Sequence, residues 1–233
     1  CDVLVFTATR GVPPLGAEAV DVRMAQYRLN RDMLRSYARR ARESRFCGLF
    51  AVVSDPVDPL CRAVFRMSNQ NEAGEFDANG LLPEQVRGFG LGVMRARALY
   101  YAQKEGIDAS ALCAYGPHGG GLVVANAPDE RYDDALSLRL TQLAREANLR
   151  LREIGVKPYI APGLSSAAIS ILRALDGDWH DSAVPLGGAY FGCQTRLGEH
   201  GPETLRRPLN ERLFTRITES WEDLRRLDET WAD

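Results

Sequence analysis

The chain has 233 residues, with 29 lysines and arginines against 31 aspartates and glutamates, and 45% of it is hydrophobic. Near-neutral charge leaves no electrostatic argument for nucleic acid or an anionic membrane surface, and no apolar run approaches the roughly 20 residues a membrane-spanning helix needs. Five scattered cysteines without metal-ligand spacing predict reduced thiols, each a small core filler, in a cytoplasmic protein with no metal site.

The first residue is Cys1, and Asp2-Val3-Leu4-Val5-Phe6 already reads as a buried strand. A domain seldom opens in mid-sheet, so further sequence is expected upstream, and the strand edge left open needs a neighbour to cover it. Val12-Pro13-Pro14-Leu15-Gly16 excludes regular structure and predicts a mobile loop. From about Asp21, a plausible N-cap, to Arg45 the apolar spacing turns helical. That helix is rich in arginine, which reads as a solvated face in a chain that is not basic overall rather than as a phosphate-binding surface.

Phe46 to Val53 reads as a second buried strand, followed by Ser54-Asp55-Pro56-Val57-Asp58-Pro59 and a helix to Met67 with Pro59 in its first turn. Val86 to Gly90 forms a third strand and turn, and Leu91 to Lys104 a helix. Buried strands alternating with helices predict a parallel, doubly wound sheet. After Ala111 the pattern changes to paired strands around Tyr115-Gly116-Pro117-His118-Gly119-Gly120-Gly121, then an amphipathic helix from about Arg131 to Ile154. Gly163-Leu164-Ser165-Ser166 is expected to open a helix over Ala167–Leu175, with a serine as cap. Ala183 to Leu197 is strand-like, bent at Gly187-Gly188 and Gly192. Leu213 to Leu227 closes the chain as a helix. His180 and His200 sit in polar, turn-like sequence, and Gly198-Glu199-His200-Gly201 reads as a hairpin turn.

Four residues share one chemistry. His118, in a glycine-walled turn open to a ligand, can shuttle a proton near neutral pH. Arg23 and Arg97 are guanidinium groups on two helices that follow strands or loops. Asp55 lies at the carboxyl end of a predicted strand, where open α/β sheets place their ligands. One arginine gripping a carboxylate, another polarising a carbonyl, and a histidine acid/base suit a 2-oxo or 2-hydroxy acid. On these residues alone, His118 could equally decorate a tight hairpin.

The order and spacing of these motifs resemble the lactate/malate dehydrogenase family over essentially all of the chain. Asp2 to Ala8 is similar to the fourth Rossmann strand of that family, whose end, here Thr7 and Ala8, meets the dinucleotide. Val52-Val53-Ser54-Asp55-Pro56-Val57-Asp58 resembles its Val-Val-Ser-Asn-Pro-Val-Asp motif, and Gly116-Pro117-His118-Gly119 its Gly-Glu-His-Gly. The resemblance implies an α/β fold: the second half of a Rossmann-like parallel sheet over residues 1–90, then an α+β substrate domain over 91–233. It implies His118, Arg23 and Asp55 as catalytic residues, with Arg97 clamping the substrate carboxylate and Ser165 beside the substrate. Thr7, Ala8, Asn30, Val53, Asp55 and Ile169 would face NAD or NADP, and a homodimer or homotetramer is expected.

The sequence departs from the family pattern in three places. Met94 stands three residues before Arg97, where the family has the aspartate that orients its histidine, and methionine can neither accept an imidazole N–H nor stabilise imidazolium. The family asparagine is Asp55, which could partner His118 and take over that role. The loop before Arg23 is longer than usual, leaving Arg10 as the one nearby candidate for a second carboxylate of the substrate. A catalytically impaired binding protein, or a reductase of the same fold for another carbonyl or imine, are the alternatives these departures raise.

Overall fold

The structure is a computed structural model that describes residues 1–10, 22–153, 161–199 and 201–230, without the side chains of 22–25, 148–149, 151–152, 161–164 and 228–230. The loop expected over 12–16, the Asp21 cap and His200 lie outside the described residues. The first three strands, β1 (Val3–Phe6), β2 (Leu49–Val52) and β3 (Val86–Gly88), are parallel, with Val3 opposite Leu49 and Phe50 opposite Val86. Helices α1 (Val22–Glu43) and α2 (Val57–Ser68) make the two crossovers. The strand–helix alternation thus gives the parallel strands expected, but both crossovers wind the same way and place α1 and α2 on one face rather than on two.

Side chains alternate across a strand, so the sheet has two apolar faces. Phe50 and Val52 pack with Leu34, Ala38, Leu60 and Val64 of α1 and α2. Leu49 and Ala51 face the other way, onto Ala167 and Ala174, which belong to α5 (Ala161–Leu175). The buried stripe, rather than the charges, holds α1 in place. Fully burying one side chain such as Leu34 contributes about 1.5–3 kcal/mol, whereas an exposed pair such as Arg40–Glu43 contributes at most about 1 kcal/mol.

The sheet continues past the third strand. Strand β6 (His180–Leu186) joins β3 antiparallel through Gly88 and Ala183, and β7 (Ala189–Gly198) and β8 (Gly201–Thr204) extend the sheet beyond it. The order β1-β2-β3-β6-β7-β8 therefore runs through the boundary expected near Gly90. Helix α3 (Leu91–Lys104), the hairpin β4 (Cys113–Tyr115) and β5 (Val123–Ala125), and helices α4 (Asp134–Glu153) and α6 (Glu211–Thr230) complete the chain.

Several expectations are corrected. The segment read as one bent strand over Ala183–Leu197 is two strands of a hairpin, because Gly187 and Gly188 both take positive φ, at 56° and 93°, and reverse the chain. Ser165 and Ser166 do not cap α5; the helix begins at Ala161, and both serines lie inside it. Pro162 falls in the first turn, where its missing N–H is tolerated. His180 is not in a polar turn: it is 1% exposed, in β6, with its ring stacked on Phe89. Nor do all cysteines fill the core, since Cys1 and Cys47 are exposed.

Candidate active site

His118 sits in the β4–β5 hairpin, where two hydrogen bonds fix it and a carboxylate stands beside its ring. Its main-chain N–H donates to Asp58 Oδ2 at 2.9 Å, and Asp58 is buried in the first turn of α2. Its Nδ1 lies 2.9 Å from the carbonyl of Gly90, where β3 turns into α3. A carbonyl can only accept, so Nδ1 carries the hydrogen and the neutral ring presents a bare Nε2. Nε2 in turn lies 3.8 Å from Asp55 Oδ1. The imidazole therefore has one nitrogen anchored and the other aimed at a carboxylate.

The glycines of this region are needed for space as much as for turning. A Cβ on Gly90 would come within 2.9 Å of His118 Cβ and of Val57 Cγ2. One on Gly192 would lie 2.3 Å from the Gly116 carbonyl, just where Gly116 N–H donates to Gly192 O at 2.9 Å and pins the hairpin to β7. The Ser220 hydroxyl of α6 closes the far side on the Gly121 carbonyl.

Asp55 follows β2 across a cis peptide bond to Pro56, and its main chain is tied down from below. Asn30 of α1 is fully buried; its Nδ2 donates to the Asp55 carbonyl at 2.7 Å and to Thr9 Oγ1 at 3.1 Å. The Arg10 N–H donates to Asn30 Oδ1 at 2.8 Å. One amide thus joins the segments after β1 and β2. Ser54 adds a second tie, its hydroxyl donating to the Ala8 carbonyl. The Asp55 side chain is left half exposed and the His118 side chain mostly covered.

Arg97 lies on α3, three residues beyond Met94. Burial lowers its pKa, and the charge of Asp55 is the first influence opposing that. Its Nη1 is 3.5 Å from Met94 Sδ, and Met94 is buried in the cluster beneath α3. His118, Asp55 and Arg97 are therefore electrostatically one group, assembled from the hairpin, the end of β2 and α3. The geometry redefines the Asp55–His118 relationship. Asp55 approaches Nε2, whereas Nδ1, the nitrogen that an orienting acid would hold, belongs to Gly90.

The remaining expected residues are spread around this group. Thr7 and Ala8 are exposed after the end of β1, and Val53 is half-buried after the end of β2. Arg10 is exposed and engages Asn30 through its main chain. Ser165 and Ile169 are exposed one turn apart on α5, hence on one side of that helix. Asn30 is a buried brace whose amide oxygen and nitrogen are both engaged within the protein. Arg23 lies in α1, its side chain outside the described residues. Asp58 and Gly90 were not singled out from sequence. Asp58 did stand in the Ser-Asp-Pro-Val-Asp run, but nothing local marks which backbone N–H a buried carboxylate will bind.

No protein-family model matches the chain. In sequence it is similar to an L-lactate dehydrogenase of Lactobacillus helveticus, 26% identical over 257 aligned positions that cover 97% of this chain and 72% of that protein. Solved structures with the same fold include a malate dehydrogenase from Archaeoglobus fulgidus in complex with NADH, with a TM-score of 0.75 at 17% identity, covering 100% of this chain and 76% of that one. A lactate dehydrogenase from a Medee basin deep-sea metagenome library superposes with a TM-score of 0.73 at 21% identity, covering 100% and 77%. The Plasmodium falciparum malate dehydrogenase gives 0.74 at 19%, covering 100% and 76%. In sequence the chain is thus similar to a lactate dehydrogenase, and in fold to malate and lactate dehydrogenases.

Proposed function

We propose that this protein transfers a hydride between nicotinamide, as NAD or NADP, and a small 2-oxo/2-hydroxy acid of the lactate or malate type. The observation that carries this reading is the grouping around His118: Nδ1 anchored on Gly90, Nε2 turned to Asp55, and the charges of Asp55 and Arg97 within mutual influence. The exposed residues Thr7 and Ala8, the end of β2 at Val53 and the outward apolar Ile169 suit a flat ring with one apolar face and a carboxamide edge. These residues would hold the nicotinamide end. When bound, the cofactor supplies the hydride acceptor or donor.

The chain's own residues do the rest. Arg97 holds the substrate carboxylate. His118 Nε2 takes the hydroxyl proton when a 2-hydroxy acid is oxidised and returns it when the oxo acid is reduced. Asp55 stabilises the imidazolium formed in the first direction. Arg23 polarises the substrate carbonyl, Ser165 lies beside the substrate, and Arg10 is available for a second carboxylate. The active form is a homodimer or homotetramer.

Steady-state assays with both reduced cofactors over a panel of 2-oxo acids test the reading. Turnover is expected with at least one acid, and His118→Asn should lower kcat by about 10²–10⁴-fold. Absence of turnover throughout, together with no change in tryptophan fluorescence on adding NADH, would overturn it. Met94 favours a second reading, a ligand-binding relative without turnover or a reductase for another carbonyl or imine. A buried thioether occupies the place of an orienting acid. If Met94→Asp raises kcat from nothing, the native site is impaired and the second reading stands.

A further inference from the structure

Strand β3 carries one charged residue, Arg87, and it is 0% exposed. All three of its guanidinium nitrogens are buried without a hydrogen-bond partner among the described residues. The Gly88 position faces Val57 and Cys61 of α2, so by strand alternation Arg87 points to the opposite face. That is the face of Ala51 and Phe89, which pack against Ala167 and Ala174 of α5. Arg87 is thus enclosed between the third strand and α5.

Among the described residues its surroundings offer no counter-charge. Burial pulls the guanidinium down to about 10, which leaves it protonated at neutral pH, and the neighbour whose ionisation would favour its charge is the Cys193 thiol. Burial pushes that thiol up to about 12, so it stays neutral. His180, stacked on Phe89, is kept neutral first by burial and then by the charges of Arg87 and Arg173. Asp181 is engaged with Arg95 at 3.6 Å. An enclosed, unpaired cation is among the costliest arrangements in a protein interior, and the guanidinium also brings five donors that need acceptors.

We propose that Arg87 is the cationic seat of a buried binding site for a small monovalent anion of halide size, held between β3 and α5. One such ion meets both needs, the charge and the N–H donors. A phosphate would need further donors, and the polar neighbours are already engaged. His180 Nδ1 is 3.0 Å from the Asp178 carbonyl, and that leaves Nε2 to accept from the Ser182 hydroxyl at 3.2 Å. The ion would tie α5, which carries Ser165 and Ile169, to the sheet. The site stands independently of the dehydrogenase reading.

Bromide is the probe. Crystals grown in sodium bromide and measured at the bromine absorption edge should show an anomalous peak in contact with the Arg87 guanidinium. In parallel, the Tm of the wild-type protein should rise and saturate with sodium chloride relative to sodium gluconate at equal ionic strength, and Arg87→Met should lose that increment. Bromide found only on exposed arginines, or a chloride increment that survives in Arg87→Met, overturns the proposal. If Arg87→Met does not fold, the diffraction experiment on the wild-type protein decides alone.

Discussion

The carbonyl of Gly90 holds Nδ1 of His118 at 2.9 Å, and the same glycine has no room for a side chain, since a Cβ would sit 3.0 Å from that nitrogen. A main-chain acceptor, rather than a carboxylate, holds this nitrogen. It fixes the tautomer and the ring orientation, as an acid would, but contributes no full negative charge. Gly90→Ala should therefore displace the imidazole while leaving the sheet intact. Overpacking of this kind costs about 1–3 kcal/mol of stability, and a misplacement of about 1 Å can lower turnover by about 10²-fold. Urea denaturation and kcat on the same preparation check both. Full activity in Gly90→Ala would show that the contact does not position His118.

Asn30 predicts a loss of a different kind. Its buried amide donates to the Asp55 carbonyl and Thr9 and accepts from Arg10 N–H. In Asn30→Ala these partners lose their mate, at about 1–3 kcal/mol for each group left buried and unsatisfied. The unfolding midpoint in urea should fall accordingly, and kcat should fall with it because Asp55 loses its brace. An unchanged midpoint would mean that the loops after β1 and β2 hold without it.

The parts of this site legible in the sequence were those with local signals. The hairpin around His118 was expected because glycines and a proline separate two short apolar runs, and α3 was found over Leu91–Lys104 from its flanking glycines and apolar spacing. The contacts that position His118 were less legible. Asp58 and Gly90 come from elements 60 and 28 residues away in sequence, and their contacts exist only once α2 and β3 pack against the hairpin. His180 was misread for the same reason. Its neighbours Trp179, Asp181 and Ser182 are polar or amphipathic, but pairing with β7 and stacking on Phe89 bury it. The helix α5 was misread at its start because Pro162 and Gly163 look like breakers, although a proline in a first turn is not one.

His180 should make stability depend on pH with a definite sign. Its folded pKa is lowered from 6.5 by burial, with the charges of Arg87 and Arg173 acting in the same direction. The unfolded chain then takes up a proton that the folded chain refuses, so stability is lost as pH falls below 6.5. Asp181 acts oppositely, because burial raises its pKa, but that contribution is common to the wild-type protein and a His180 variant. His180→Gln retains a donor and an acceptor without titrating. The difference in Tm between the two proteins should therefore change steadily from pH 7 to pH 5. A constant difference over that range would mean that His180 titrates normally in the folded protein.

Asp55→Asn should lower two kinetic constants together, because the carboxylate stands beside His118 and its charge acts on Arg97. Two unit charges at this separation interact by about 1 kcal/mol in water and about 4 kcal/mol near a protein surface. Since the Asp55 side chain is 49% exposed, the lower figure governs, and that is about a fivefold effect in rate. Oxidation of the 2-hydroxy acid forms the imidazolium that Asp55 stabilises, so kcat in that direction should fall by about this factor. The substrate carboxylate meanwhile approaches Arg97 without a competing negative charge, so KM should fall as well. Steady-state kinetics in the oxidation direction read both constants from one titration. A fall in KM with unchanged kcat would leave Asp55 a role in substrate binding alone, and no change in either would remove it from the site.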